Sequence, residues 1–273
     1  MYAHLPTVPL TKLAGQAPCS SLMFYDVNGG TGSQWLVWVE SAFEAYGLEP
    51  ANFKFFEEGK NTAGSYEINR DKVAQHLESG RANIQIFSSF NQADQEQFPS
   101  SMSISISVRG GKIQGSVSVK VEGCKIDYQC GLDVAKELHS FAGAFYGHLS
   151  AFPSILGPDY YLSGVSFIPS GWSFGCMSKY SRRLASWSQN YRRLGEVYGY
   201  FREIFPINIL NASHFAADIC GKGPCEYYAQ YGDVFELVSG GEQFVWVVNE
   251  DAITTVRLEL ERAGLIASSE NSL

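Results

Sequence analysis

With 273 residues, of which 45% are apolar and 18% charged, the chain is long enough for one large domain or two small ones, and its core needs no disulfides. A formal net charge of −8 disfavours general attraction to nucleic-acid phosphates or anionic lipid, and suits a basic partner. The 14% aromatic share implies large packing clusters or an adhesive face.

Near Pro6, Pro9 and Lys12 there is no basic segment followed by an export-length apolar run, and no later apolar run reaches about 18 residues. A cytoplasmic chain is expected. Leu22 to Val27 then reads as a strand, Asn28 to Gly32 as a glycine turn, and Gln34 to Tyr46 as a helix with Trp35, Val39, Ala42 and Tyr46 on one face. Strand, glycine loop and helix can cradle an anion. The Gly29–Gly32 loop therefore supports an alternative reading as a phosphate-binding or small-molecule enzyme, although it has neither P-loop nor dinucleotide spacing. Glu57 and Glu58, beside Gly59 and Lys60, read as a solvated turn. Asn69 or Asp71 can cap a helix carrying Val73, Ala74 and Leu77, with Gly80 as its stop, and a strand follows over Asn83 to Phe87.

Ser88 to Ser101 reads as a long polar loop in which Asp94 and Glu96 stand near Phe90 and Phe98. Beyond it, Met102, Ile104, Ile106 and Val108 alternate with polar residues, Gly110 and Gly111 turn, and Ile113, Val117, Val119 and Val121 alternate again. This pattern predicts a hairpin with one apolar face against helices and one wet face of Ser, Gln and Lys. Leu132, Ala135, Leu138, His139, Ala142, Phe145 and Leu149 form the stripe of a covering helix. Pro153 to Pro158 is the expected boundary between two associated lobes, 1–153 and 154–273, that form one continuous globular unit.

In the second lobe Tyr160 and Tyr161 precede a strand at Leu162 to Ile168, and Trp172 to Arg193 reads as helical. Lys179 to Arg202 holds six bases and one acid, whereas Glu203 to Leu273 holds three bases and eleven acids. The basic block is read as a solvated helix face, since no aromatic-rich basic module accompanies it. Gly199 to Phe215 is a dense apolar run broken by Pro206, which stops any entering element; Asn211 or Ser213 then caps a helix through Phe215, Ala216 and Ile219. Cys225 to Tyr231 adds a helical turn, Asp233 to Val238 and Gln243 to Val248 form a second hairpin, and Asn249 caps a last helix that Gly264 ends.

Six cysteines in such a chain are read as thiols. Cys220 and Cys225, with His214 upstream, come nearest to zinc-ligand spacing but have no second cysteine pair, so no metal and no cofactor is expected. No His-Glu-x-x-His motif and no Gly-x-Ser-x-Gly elbow occurs, and His214 is read as ordering backbone rather than transferring protons. No catalytic residues are assigned.

Three segments carry a resemblance: Arg202 to His214 with its Pro206, then Gly240 to Val248, then Val256 to Leu260 with Ala263 to Ile266. Together they resemble bacterial immunity proteins, the cytoplasmic antidotes to polymorphic toxins of contact-dependent and type VI secretion. The resemblance covers roughly the last third of the chain well, and its motif residues mark a scaffold. It implies a non-enzymatic protein that binds one cognate toxin effector domain, a basic nuclease being the case considered, and blocks its active site without engaging nucleic acid or membrane. The partner-binding residues expected from charge and loop position are Asp94, Glu96, Tyr160 and Tyr161. The expected fold is α+β, with antiparallel or mixed sheets covered by helices.

Overall fold

The computed structural model describes residues 18–57, 60–79, 84–89, 102–109, 112–120, 128–153, 199–216 and 218–266. It is an α+β fold. In chain order the strands are β1 (Pro18–Val27), β2 (Asn52–Glu57), β3 (Lys60–Ser65), β4 (Ile84–Ser88), β5 (Met102–Arg109), β6 (Lys112–Lys120), β7 (Tyr146–Pro153), β8 (Ile207–Asn211), β9 (Gly232–Glu236) and β10 (Gln243–Val248). The helices are α1 (Gly32–Ala45), α2 (Tyr66–Ser79), α3 (Tyr128–Ala142), α4 (Pro224–Tyr231) and α5 (Ile253–Arg262). All ten strands join one antiparallel sheet in the order β3-β2-β4-β5-β6-β1-β7-β8-β10-β9.

Strand periodicity sorts the core onto two faces. Along β1, Leu22 and Phe24 point to one cluster that contains Trp38 and Phe43 of α1, Val73 of α2 and Leu138 of α3. Met23 and Tyr25 point to the other, with Tyr228 of α4, Val256 and Leu260 of α5 and Trp246 of β10. Both faces are therefore filled, and the sheet works as the middle layer.

The β5–β6 hairpin has the predicted register, with Ile104 opposite Val117 and Arg109 opposite Lys112. Ile104, Ile106 and Val117 are buried in the first cluster and Val119 packs at its edge. The expected wet face is corrected: Ser103, Ser105, Ser107, Ser116 and Ser118 are buried as well. Here alternation separates apolar from polar side chains instead of core from solvent. Ser21 Oγ and Ser118 Oγ satisfy one another across the strands at 2.8 Å, whereas Ser107 Oγ and Ser116 Oγ are buried without a hydrogen-bond partner among the described residues.

Three further expectations change. The covering helix α3 ends at Ala142, and Gly143 with φ +74° lets the chain leave, so Leu149 belongs to β7. After β8 there is only a four-residue 3₁₀ turn, Ala212–Phe215, with Ile219 in a bridge to Lys222; Asn211 does cap that turn, accepting from Ser213 N. Helix α5 starts from Ala252 without a side-chain cap rather than from Asn249. Its end is as expected: Gly264 has φ +74°, and Leu265 N–H returns to Leu260 O at 2.8 Å. The β2–β3 hairpin goes beyond the sequence reading: Phe53 and Phe55 alternate with Lys54 along β2, but β3, Lys-Asn-Thr-Ala-Gly-Ser, carries no apolar period.

The motif residues of the last third act as internal ties. Arg202 is buried, its guanidinium donating to Tyr25 Oη and its backbone N–H to Tyr146 Oη at 3.0 Å. Glu203 pairs with Arg257 Nε at 2.7 Å. Asn208, on the strand that Pro206 introduces, bonds both the N–H and the C=O of Phe205.

Candidate functional site

Asp94, Glu96, Tyr160 and Tyr161 lie outside the described residues, as do the expected strand at 162–168 and the basic block over 179–198. Three other places in the fold collect polar side chains, and they differ in what they offer chemically.

The first is the Gly29–Gly32 loop. Gly29 and Gly30 take positive φ values of 116° and 84°, which their lack of a Cβ permits. Thr31 then caps α1, accepting from Gln34 N, while Gln34 Oε1 accepts from Thr31 N at 2.8 Å. Ser33 N–H donates to the Glu78 carboxylate at 2.8 Å, and Trp35 N–H to Thr31 O. Three consecutive helix N–H groups are thus committed to the chain's own oxygens, and the anion beside them is Glu78. A Cβ on Gly32 would meet Glu78 N at 2.3 Å, so this glycine serves the close approach of α1 and α2. The loop's chemistry is accounted for by helix packing.

The second is a buried cluster on the α4–α5 side of the sheet. His148 Nε2 lies 3.3 Å from Tyr25 Oη, and its ring stacks on Phe205 at 3.6 Å between centroids. His214 stacks on Tyr146, and its Nδ1 lies 2.9 Å from Asn211 Oδ1; Tyr228 Oη donates to its carbonyl at 2.6 Å. Burial depresses both imidazoles, His214 to about 4 and His148 well below the ordinary value, with the Arg202 charge adding to the second shift. Both rings are neutral and enclosed, and they hold tyrosines and backbone in place. The thiols of Cys220 and Cys225 are exposed, Cys220 Sγ approaching Glu259 O at 3.8 Å. No three His, Cys, Asp or Glu side chains among the described residues converge as metal ligands would.

Depressed histidines make stability depend on pH in a stated direction. The folded value of His214, about 4, lies below its ordinary 6.5, so the unfolded chain binds the proton more tightly. Stability is full above pH 6.5 and falls as the pH drops towards 4, by about 3 kcal/mol for this group. Urea midpoints at pH 7 and 4.5 should differ for the wild type and differ less for His214→Gln. Equal pH slopes in the two proteins would remove His214 as the cause.

The third place is a surface cleft enclosing about 1020 Å³. Its walls are Glu40 and Glu44 of α1, the connection Gly47 to Asn52, Ser65 to Glu67 with Arg70 around the start of α2, and Ser89 after β4. Local chemistry builds it. Gly47, with φ +67°, lets α1 end with Leu48 N–H on Phe43 O at 3.0 Å. Ala51 then ties the connection to the sheet, donating to Ser88 O and accepting from Tyr66 N, both at 2.8 Å. In α2, Asn69 breaks helical geometry at φ −119° and its side chain donates to Ser65 O at 2.9 Å, the local bonding its capping propensity foretells.

Glu40 is the hub of the cleft. It accepts from Arg70 Nε and Nη2 at 2.7 and 2.9 Å and from Tyr66 Oη at 2.7 Å. The Arg70 hydrogen bonds hold its carboxyl below the usual range, and burial together with this carboxylate raises the Tyr66 phenol. Arg70 is thereby neutralised. Glu44, Glu49 and Glu67 make no ion pair among the described residues, leaving the cleft acidic. Sequence reasoning missed these residues. The available signal was Glu40 and Glu44, like charges four apart on one helix face, an unfavourable pairing unless something cationic faces it. Ser89, the last described residue before the segment carrying Asp94 and Glu96, lines the same cleft.

Among the described residues, fold and site together define a helix-covered α+β protein with a ten-stranded antiparallel sheet and an acidic cleft near its β3 end. No protein-family model matches the sequence, and no curated protein matches it. Among solved structures the chain is similar to the Pseudomonas aeruginosa T6SS protein PA0821, with a TM-score of 0.50 and 10% identity over 92% of this chain and 73% of that one. At that identity the likeness is one of fold. Among the described residues, no helix is long and apolar enough to cross a membrane.

Proposed function

We propose that this chain is an immunity protein of a bacterial type VI or contact-dependent secretion system: a non-enzymatic, cytoplasmic antidote that binds one cognate toxin and covers its active site. The observation that carries the reading is the fold likeness to a T6SS protein across 92% of the chain. The segments that resemble immunity proteins fall on β8, β10 and α5 and the turns beside them. The net charge of −8 and the acidic cleft suit a toxin with a basic active site, such as a nuclease, because acidic side chains facing that site speed encounter and oppose nucleic-acid entry.

The reading is tested with the toxin domain encoded by the neighbouring gene, produced with and without this protein. Growth should be arrested by the toxin alone and restored by co-production, and the two chains should co-purify in a fixed ratio. Association should slow as salt rises. Arrest that co-production leaves unrelieved, together with no complex on gel filtration, would sink the assignment.

A further inference from the structure

We propose that the cleft between the end of α1 and the start of α2 is the surface that engages the toxin, and that it takes a basic protein segment whose Arg or Lys side chains enter among Glu44, Glu49 and Glu67 while Ile68 packs against an apolar neighbour. This inference rests on the immunity reading and names the site of contact.

Shape comes first. The cleft encloses about 1020 Å³, room for several side chains, and its walls are held by the Ala51 and Glu40 hydrogen bonds described above, so it exists before a partner arrives. Its charge selects the partner. Arg70 spends its guanidinium on Glu40, and the carboxylates of Glu44, Glu49 and Glu67 remain for an incoming cation. These carboxylates do not gather as metal ligands. A set of anions spread over the walls of a cleft fits cations spaced along a chain better than a single ion.

A further feature suits a protein segment. Ile68, between the lining residues Glu67 and Arg70 in the chain, is 82% exposed, the most exposed of the large apolar side chains among the described residues. Next in sequence to a lining residue, this side chain offers an incoming segment an apolar contact in addition to the charged ones.

The test compares charge reversals of equal size at opposite ends of the sheet in the full-length protein. One variant is Glu44→Lys/Glu49→Lys/Glu67→Lys, a second is Ile68→Asp, and the control is Asp233→Lys/Glu242→Lys/Asp251→Lys, whose side chains are also exposed. Each is measured for binding to the neighbouring-gene toxin domain at two salt concentrations, for protection of growth, and for melting temperature; the single change Glu49→Lys serves if the triple variant melts early. The cleft reversal should weaken binding by about 100-fold with a slower association rate, and Ile68→Asp by about 10-fold through faster dissociation, while the control stays within about 3-fold. If the cleft variants bind and protect as well as the control while the wild type protects, the cleft is not the contact surface and the immunity reading stands. If the wild type itself neither binds nor protects, both fall.

Discussion

Ile106→Asp should abolish the cooperative melting transition of this protein. Ile106 is 2% exposed in the middle of β5, flanked across the sheet by Gly115 of β6 and Gln85 of β4. Neither neighbour is a cation, and Gln85 Oε1 is itself a buried acceptor without a partner. A carboxylate there must stay charged in an apolar core or take up a proton, and either course costs several kcal/mol. Since whole domains are stable by only about 5–15 kcal/mol, that loss consumes much or all of the margin. Ile106→Val, which removes one methyl group, should cost only about 1 kcal/mol. A melting temperature of the Asp variant within two or three degrees of wild type would show that the side chain does not sit in the core.

Gln243→Leu should destabilise almost as strongly, through hydrogen bonds and with little change of volume. Gln243 is fully buried at the start of β10. Its Oε1 accepts from Phe145 N at 2.8 Å, and its Nε2 donates to Phe145 O at 2.7 Å and to Leu210 O at 2.9 Å. One amide therefore ties the segment entering β7 to the end of β8 and to β10. Leucine would leave a buried N–H and two carbonyls without this partner, at about 1–3 kcal/mol for each group that finds no other. The expected loss is about 3–5 kcal/mol by the same principle, read from denaturant midpoints at an unchanged slope. Gln243→Glu, which keeps the acceptor for Phe145 N, makes a useful comparison. An unchanged midpoint for the Leu variant would mean that the tie is replaceable.

Both predictions concern positions of different legibility. Ile106 could be assigned to a core face because a two-residue period, uninterrupted over Met102 to Val108, has only one structural solution. Gln243 could not, because a buried glutamine looks like a surface residue until the backbone groups that it satisfies are placed beside it. The same asymmetry separates the two halves of the β5–β6 hairpin's pattern. Alternation marks its isoleucines as core, which they are, and its serines as solvent-facing, although they are buried. Hydroxyl groups carry no directional signal in sequence, and only the cross-strand neighbour decides whether they are satisfied. Asn211 is a cap, as its residue type suggests, but the element it starts is one 3₁₀ turn, and Ile219 lies instead in a bridge with Lys222.

By itself the sequence determined the α+β class, most of the strands and helices, the β5–β6 and β9–β10 hairpins and the role of Gly264, all features governed by residues within one or two turns of each other. Tertiary structure alone decided that ten strands share one sheet, that both faces are covered, and that Glu40, Glu44, Glu49 and Glu67 meet around one cleft. The physical reason is range. Periodicity and capping act along the chain, whereas a cleft exists only where α1, the 47–52 connection, α2 and the end of β4 are brought together by the burial of side chains that lie elsewhere. A like-charged pair such as Glu40 and Glu44 is unfavourable locally, and its purpose becomes visible once Arg70, thirty residues from Glu40, is seen to close over one of the two carboxylates and leave the other exposed.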